Sequence, residues 1–305
     1  MLRNLMLRAA ANPSMVKLFA GLGSRSGLAE RFVAGEGLET AIEAVRALNS
    51  QGILASLDQL GEGVTIQQEA ERATQGYIRL LEKIGESDVK SNISIKLTQL
   101  GLDIDADLCA QNLTRILNKA GELENFVRID MESSKHTQRT LDLFERARDK
   151  FGPDRVGIVI QSYLRRSEDD VRRLAEIGGN IRLCKGAYKE PSDISYQTKS
   201  QVDSSLKKLI EISLESNCYT AIATHDHRII DFTRGYVDRQ GIPVDRYEFQ
   251  MLYGVRRDYQ LQLQAERYRM RVYVPFGTQW APYFMRRLAE RPANLLFVAR
   301  AIFRD

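Results

Sequence analysis

Cysteine is scarce in this 305-residue chain, and its three copies, Cys109, Cys184 and Cys218, are odd in number and lack metal-ligand spacing. That argues against a disulfide framework or a cysteine zinc site and suits a reducing compartment. No apolar run approaches the length of a membrane-crossing helix. The "HDH" at residues 225 to 227 has no third histidine or acidic cluster at ligand spacing, so a hydrogen-bonding role outweighs a metal site. Charge of one sign is not concentrated: 44 basic against 40 acidic residues leave a net +4, mixed along most of the chain. Nucleic acid as a partner is disfavoured, since it calls for a gathered basic patch. Even "LRRSEDDVRRL" carries acids among its arginines and reads as a solvated helix. Linkers and low-complexity segments are also missing.

What remains is a repeating alternation. Short runs that open on β-branched or apolar residues and close on polar ones begin near residues 52, 91, 125, 155, 179, 218, 247 and 271. Amphipathic segments lie between them. One is "TIQQEAERATQGYIRLLEKIGES", which places Ile66, Ala70, Ala73, Tyr77, Leu80, Leu81 and Ile84 on one side. Eight strand-plus-helix units predict an α/β fold, a (β/α)8 TIM-type barrel over 51–305, preceded by additional N-terminal helices over 1–50 in a single domain. The rival, an open doubly wound sheet, would more often show a Gly-rich dinucleotide turn after its first strand. Here that strand ends "LDQLGEG". The N-terminal stretch has no acid before Glu30. It reads as a basic amphipathic helix able to rest on an anionic membrane, with a mitochondrial transit peptide as the alternative.

Barrel enzymes work at the C-terminal ends of their strands. This sequence puts Lys96 at the second, Asp130 and Glu132 at the third, and Gln161 followed by Arg165 and Arg166 at the fourth. Arg182, Lys185 and Gly186 follow on the fifth, Thr224, His225 and Asp226 on the sixth, Gln250 on the seventh and Tyr273 on the eighth. The last helical pattern, "APYFMRRLAERPANLLF" (281–297), sets Tyr283, Arg286, Arg287 and Glu290 on one face at i, i+3, i+4 and i+7. Arg286 ahead of Glu290 is the weaker order for a helix-stabilising pair, so a solvated stripe explains it poorly. The expected pocket is rich in Arg and Lys, poor in carboxylates, and suited to an anionic ligand.

The segments "SIKLTQLG", "RIDMESS", "VIQSYLRR", "RLCKGAYKEP", "ATHD", "YEFQMLYGVR" and "RVYVPFGTQWAPYFMRRLAERPAN" resemble, in order, those of the proline dehydrogenase family. The N-terminal helices resemble those of its short, monofunctional bacterial members. Members are FAD-dependent barrels that oxidise L-proline to 1-pyrroline-5-carboxylate. The resemblance implies that Lys96, Arg286 and Arg287 bind the substrate carboxylate, with Glu290 completing the ion-pair network, and that Tyr273 and Leu252 pack on the ring. It implies that Asp130 holds the basic cluster near the substrate and that Arg182 approaches flavin N5. It places Met131, Gln161, Lys185, Gly186, Ala187, Thr224 and His225 along the cofactor. It further implies a quinone acceptor and a separate protein for the following pyrroline-5-carboxylate oxidation. The implied location is the cytoplasm, with peripheral contact on the membrane's inner face. Two other readings stay open here: a Schiff-base lyase or aldolase using Lys96 or Lys185, and a flavin-binding protein without turnover.

Overall fold

The computed structural model describes residues 31–61 and 63–281. The N-terminal stretch up to residue 30 and the segment carrying Arg286, Arg287 and Glu290 therefore lie outside the described residues. Within them, eight strands close into one parallel barrel in sequence order. They are β1 (Leu54–Gln59), β2 (Ser91–Ile95), β3 (Val127–Ile129), β4 (Val156–Gln161), β5 (Asn180–Cys184), β6 (Tyr219–Ala223), β7 (Tyr247–Leu252) and β8 (Met270–Phe276). Closure is by β8 on β1, with Leu54 opposite Arg271 and Gln59 opposite Phe276. The helices are α1 (Leu38–Asn49), α2 (Gln67–Glu86), α3 (Ala106–Glu122), α4 (Ser134–Phe151), α5 (Ser167–Ile177), α6 (Lys199–Glu215), α7 (His227–Gln240) and α8 (Arg257–Ala265). Strand positions follow the short β-branched runs closely. Each run is too short for a helix and is bounded by polar or glycine residues that end it.

Helix α1 lies against β1 and β8. The chain before it is tied to the barrel by Ala34 N–H donating to the Pro275 carbonyl at 2.8 Å. In α2 the apolar stripe Ala70, Ala73, Tyr77, Leu80, Leu81 and Ile84 is buried as its spacing dictates. Ile66 is a correction: it stands at the N-cap, outside the helical repeat, and is half exposed.

Alternation along each strand divides the barrel into two interiors. Leu57, Ile93, Ile95, Ile129, Ile158, Ile160, Ile181 and Leu183 belong to one continuous apolar core with helix residues such as Leu80, Leu113, Phe144 and Leu209. The axis, by contrast, is polar. Arg182 on β5 donates to Ser94 Oγ of β2 at 3.0 Å and reaches Ser56 Oγ of β1 at 3.4 Å. Lower down, buried Glu248 accepts from Arg271 Nε at 2.7 Å and Tyr219 Oη at 2.9 Å, and Gln250 also donates to it. Burial alone would raise its pKa, but Arg271 and the neutral donors pull it down to about 2.

Arg128, 2% exposed, fills the bottom of the axis. It donates to the carbonyls of Ile158 and Asn180 at 3.0 and 2.6 Å. Burial, reinforced by the nearby Arg182 charge, pushes its pKa well below the ordinary arginine range. This packing explains why position 157 is glycine. A Cβ there would lie 2.4 Å from the Arg128 guanidinium and 2.6 Å from the Asn180 carbonyl oxygen.

Candidate active site

A cavity of about 1190 Å³ opens at the C-terminal ends of the strands. It exceeds the usual span of small-ligand pockets, roughly 300–1,000 Å³, and so has room for an extended ligand. Lys96, Asp130, Met131, Gln161, Arg182, Lys185, Gly186, Ala187, Thr224, His225, Leu252 and Tyr273 all line it. Strand order brings them together: most stand at or just past the end of a strand, while Arg182 and Tyr273 point into the axis from within β5 and β8.

At the floor the polar groups form one network. Lys96 Nζ lies 3.0 Å from both oxygens of Asp58, 3.4 Å from Tyr273 Oη and 3.5 Å from Asp130. Tyr273 donates to Asp130 at 2.9 Å, and Arg182 donates to the other Asp130 oxygen at 3.0 Å. The Arg182 guanidinium also sits 5.4 Å from the centre of the Tyr273 ring. Burial works against the Lys96 charge, yet Asp58, Tyr273 and Asp130 hold its pKa well above the ordinary lysine value. Burial pushes Asp58 up against the pull of Lys96, and the like charge of Asp130 adds to the rise.

Two expectations are corrected here. Asp58 was not among the sequence candidates, although its side chain is fully buried and bridges to Lys96. Its one signal was an acid near the end of the first strand, two residues after Ser56 and therefore on the same side as it. Nor is the described pocket poor in carboxylates. Two acids face two cations on the floor. Further out, Lys185 lies 2.6 Å from Asp203 and 2.8 Å from Asp226, while Lys199 pairs with both. On the floor, Lys96 and Arg182 each face an acid because a buried charge without a partner is too costly to keep. Asp203 comes from the middle of a helix face rather than a strand end, so the strand-end rule passed over it.

Other candidates fall elsewhere. Arg165 and Arg166 turn away, the first towards the Ser192 carbonyl and the Tyr196 ring, the second towards Asp170 and Gln138. Glu132 accepts from the backbone and hydroxyl of Thr98 at 3.1 and 2.6 Å. His225 Nε2 accepts from Leu252 N–H at 2.9 Å, joining the ends of β6 and β7. Three buried atoms of cavity-lining side chains have no hydrogen-bond partner among the described residues: Asp203 Oδ1, which is ion-paired with Lys185, Gln161 Oε1, an acceptor, and Arg182 Nε, a donor.

The family profile described as proline dehydrogenase matches residues 41–300. Proline dehydrogenase 1 of Bacillus subtilis (strain 168) is 41% identical over 304 residues, covering 100% of both chains. The proline dehydrogenase of Deinococcus radiodurans is 44% identical over 280 residues, 91% of this chain and 90% of that one. Among solved structures, proline utilization A (PutA) from Bdellovibrio bacteriovorus, inactivated by N-propargylglycine, superposes with a TM-score of 0.81 at 26% identity. The match covers 87% of this chain and 32% of that one, so this chain spans about a third of that protein. With relatives matched along its whole length and a profile covering the entire barrel, the chain belongs to the proline dehydrogenase family.

Proposed function

We propose that this chain oxidises L-proline to 1-pyrroline-5-carboxylate with FAD as the resident cofactor. The observation that carries the reading is the Asp58–Lys96–Tyr273–Asp130–Arg182 network at the floor of a large cavity. The cavity wall fits the cofactor. Gln161 Oε1 and Arg182 Nε are a buried acceptor and donor without a partner among the described residues, and the edge of an isoalloxazine carries both complements. Lys185 and Lys199, oriented by Asp203 and Asp226, are the ammonium donors for the diphosphate. When bound, FAD would supply the hydride-accepting chemistry for the C5–H bond of proline, and everything else would fall to the protein.

Arg182 supplies a fixed positive charge where negative charge develops, and its Asp130 and Ser94 contacts remove the need to reorganise during the reaction. The carboxylates of the floor are already engaged, Asp58 by Lys96 and Asp130 by Tyr273 and Arg182. A prolinium nitrogen therefore finds no spare anion there, which favours the neutral amine whose lone pair assists hydride loss. Tyr273 and Leu252 flank the space for the ring. Lys96 keeps the Tyr273 hydroxyl and Asp130 in place and adds charge on the side of the substrate carboxylate.

Arg286 and Arg287, with Glu290 offsetting the repulsion between the two guanidiniums, complete the proposal as the carboxylate clamp. Changing either arginine to Met is expected to raise KM for proline about tenfold or more, the scale of one lost charge-assisted contact. Steady-state kinetics of both variants decide it, and wild-type values in both return the stripe to the solvated surface.

A quinone takes the electrons in this proposal. The basic N-terminal stretch brings the cytoplasmic chain to the membrane surface where quinones reside, and the product passes to a separate pyrroline-5-carboxylate dehydrogenase. Among the described residues no helix is long and apolar enough to cross a membrane. The Schiff-base reading loses ground on Lys96, because a nucleophilic lysine needs a depressed pKa and this one is raised.

The direct test is an absorbance spectrum before and after anaerobic addition of L-proline. A flavin spectrum that bleaches is expected. Flavin that stays oxidised would rule out the substrate, and a chain that neither carries nor takes up FAD would rule out the cofactor.

A further inference from the structure

The loop joining β5 to α6, residues 185–198, carries no helix and only one isolated bridge, Leu164 with Ser195. Yet Gly186, Ala187 and Tyr188 within it form part of the cavity wall. One side of this strap is sewn to the loop after β4. Tyr163 N–H donates to the Lys185 carbonyl at 3.1 Å, Arg165 N–H to Ile194 at 3.0 Å, and Tyr196 N–H to Tyr163 at 2.8 Å. The fit there is close. Gly186 has φ +101°, and a Cβ on it would meet the Tyr163 ring at 2.2 Å.

The strap also reaches across to the start of α4 through a side chain. Glu190 Oε1 accepts from the backbone N–H of Ser134 at 2.8 Å and Oε2 from its hydroxyl at 2.5 Å. Tyr163 Oη reaches the same carboxylate at 3.5 Å. Ser134 is the first residue of α4, whose leading N–H groups have no partner within the helix. The residue that should cap it, Ser133, makes no capping bond, because its hydroxyl is turned to His136 Nδ1 at 3.1 Å. The capping carboxylate thus comes from another loop. It gains from two charge-assisted hydrogen bonds and from the positive end of the helix dipole.

We propose that Glu190 is a positioning residue for the cofactor: by capping α4 from the strap, it latches the wall that Gly186 to Tyr188 present to the flavin. This rests on the flavoprotein reading above. Releasing the latch leaves the barrel and its floor intact and lets the wall swing on its Tyr163 side.

The experiment is the dissociation constant of FAD, followed by flavin fluorescence, for wild type, Glu190→Ala, Glu190→Gln and Ser134→Ala, beside their melting temperatures. Glu190→Ala is expected to weaken FAD binding about tenfold, the scale of a lost cap strengthened by charge. Glu190→Gln keeps an acceptor for the Ser134 N–H and is expected to recover part of the loss. At saturating FAD, KM for proline should stay within about twofold of wild type, since no contact to the substrate side has changed. Equal FAD affinity in wild type and Glu190→Ala overturns the latch alone. A wild type that takes up no FAD overturns the flavoprotein reading, and the latch with it. Should Glu190→Ala fail to fold, Glu190→Gln and Ser134→Ala decide: weakening by a few-fold supports the latch, and unchanged affinity in both sinks it.

Discussion

Arg182→Met is expected to yield a folded, flavin-loaded protein that L-proline reduces about a hundred to a thousand times more slowly, the loss typical of removing one preorganised charge from a transition state. The size follows from how little freedom this guanidinium has. It is 5% exposed and anchored by Asp130 and Ser94 at 3.0 Å each, with its ring-facing side over Tyr273. Its charge is therefore in place before the reaction begins. Arg182→Lys keeps a charge but loses the planar fork, so it should fall between the two. Stopped-flow reduction under anaerobic conditions reads the rate directly. A Met variant reduced within threefold of wild type would remove Arg182 from the chemistry and leave it a structural plug.

The second large effect concerns stability. Lys96→Met leaves Asp58 fully buried with no cation against it, and removing one partner of such a pair costs about 3–5 kcal/mol. The deficit should depend on pH with a definite sign. A carboxyl whose pKa is raised on folding contributes stability below its unfolded pKa and loses it as pH rises through the folded value. Burial already raises Asp58, and losing Lys96 raises it further. Urea midpoints should therefore differ most from wild type near about pH 8 and least near about pH 5. Adding Asp58→Leu to Lys96→Met should restore most of the stability by removing the stranded charge, while proline turnover stays low. Should the single variant melt like wild type at the higher pH, Asp58 and Lys96 would not be an essential pair.

The contrast between these two residues shows what could be read from the sequence. Arg182 was legible because it lies between the apolar Ile181 and Leu183 of a short strand that runs on into "CKGAY", a position that barrel geometry points inward. The eight runs, their order and their polar ends were legible for the same reason: strand length and alternation are local properties. Asp58 was not, because an acid in "GILASLDQ" looks like the start of a turn until closure against β8 surrounds it. Pairing is set by distance across the axis, between residues tens of positions apart, and no local pattern reports it. The same blindness turned a balanced site into an apparently basic one, and hid Asp203 on its helix and Glu190 in its loop. Ile66 failed in the opposite direction: periodicity ran one residue past the point where backbone geometry stopped being helical.

The division of the barrel into an oily outer shell and a charged axis limits how it can vary. Aliphatic contacts between strands and helices tolerate exchange one residue at a time, because a lost methylene is a graded loss. Along the axis, Glu248 with Arg271 and Asp58 with Lys96 offer no gradation, since either member alone is a stranded charge. Redesign of this interior for another substrate would therefore have to proceed by coupled replacements, and a library of single substitutions at these paired positions would return mostly destabilised chains.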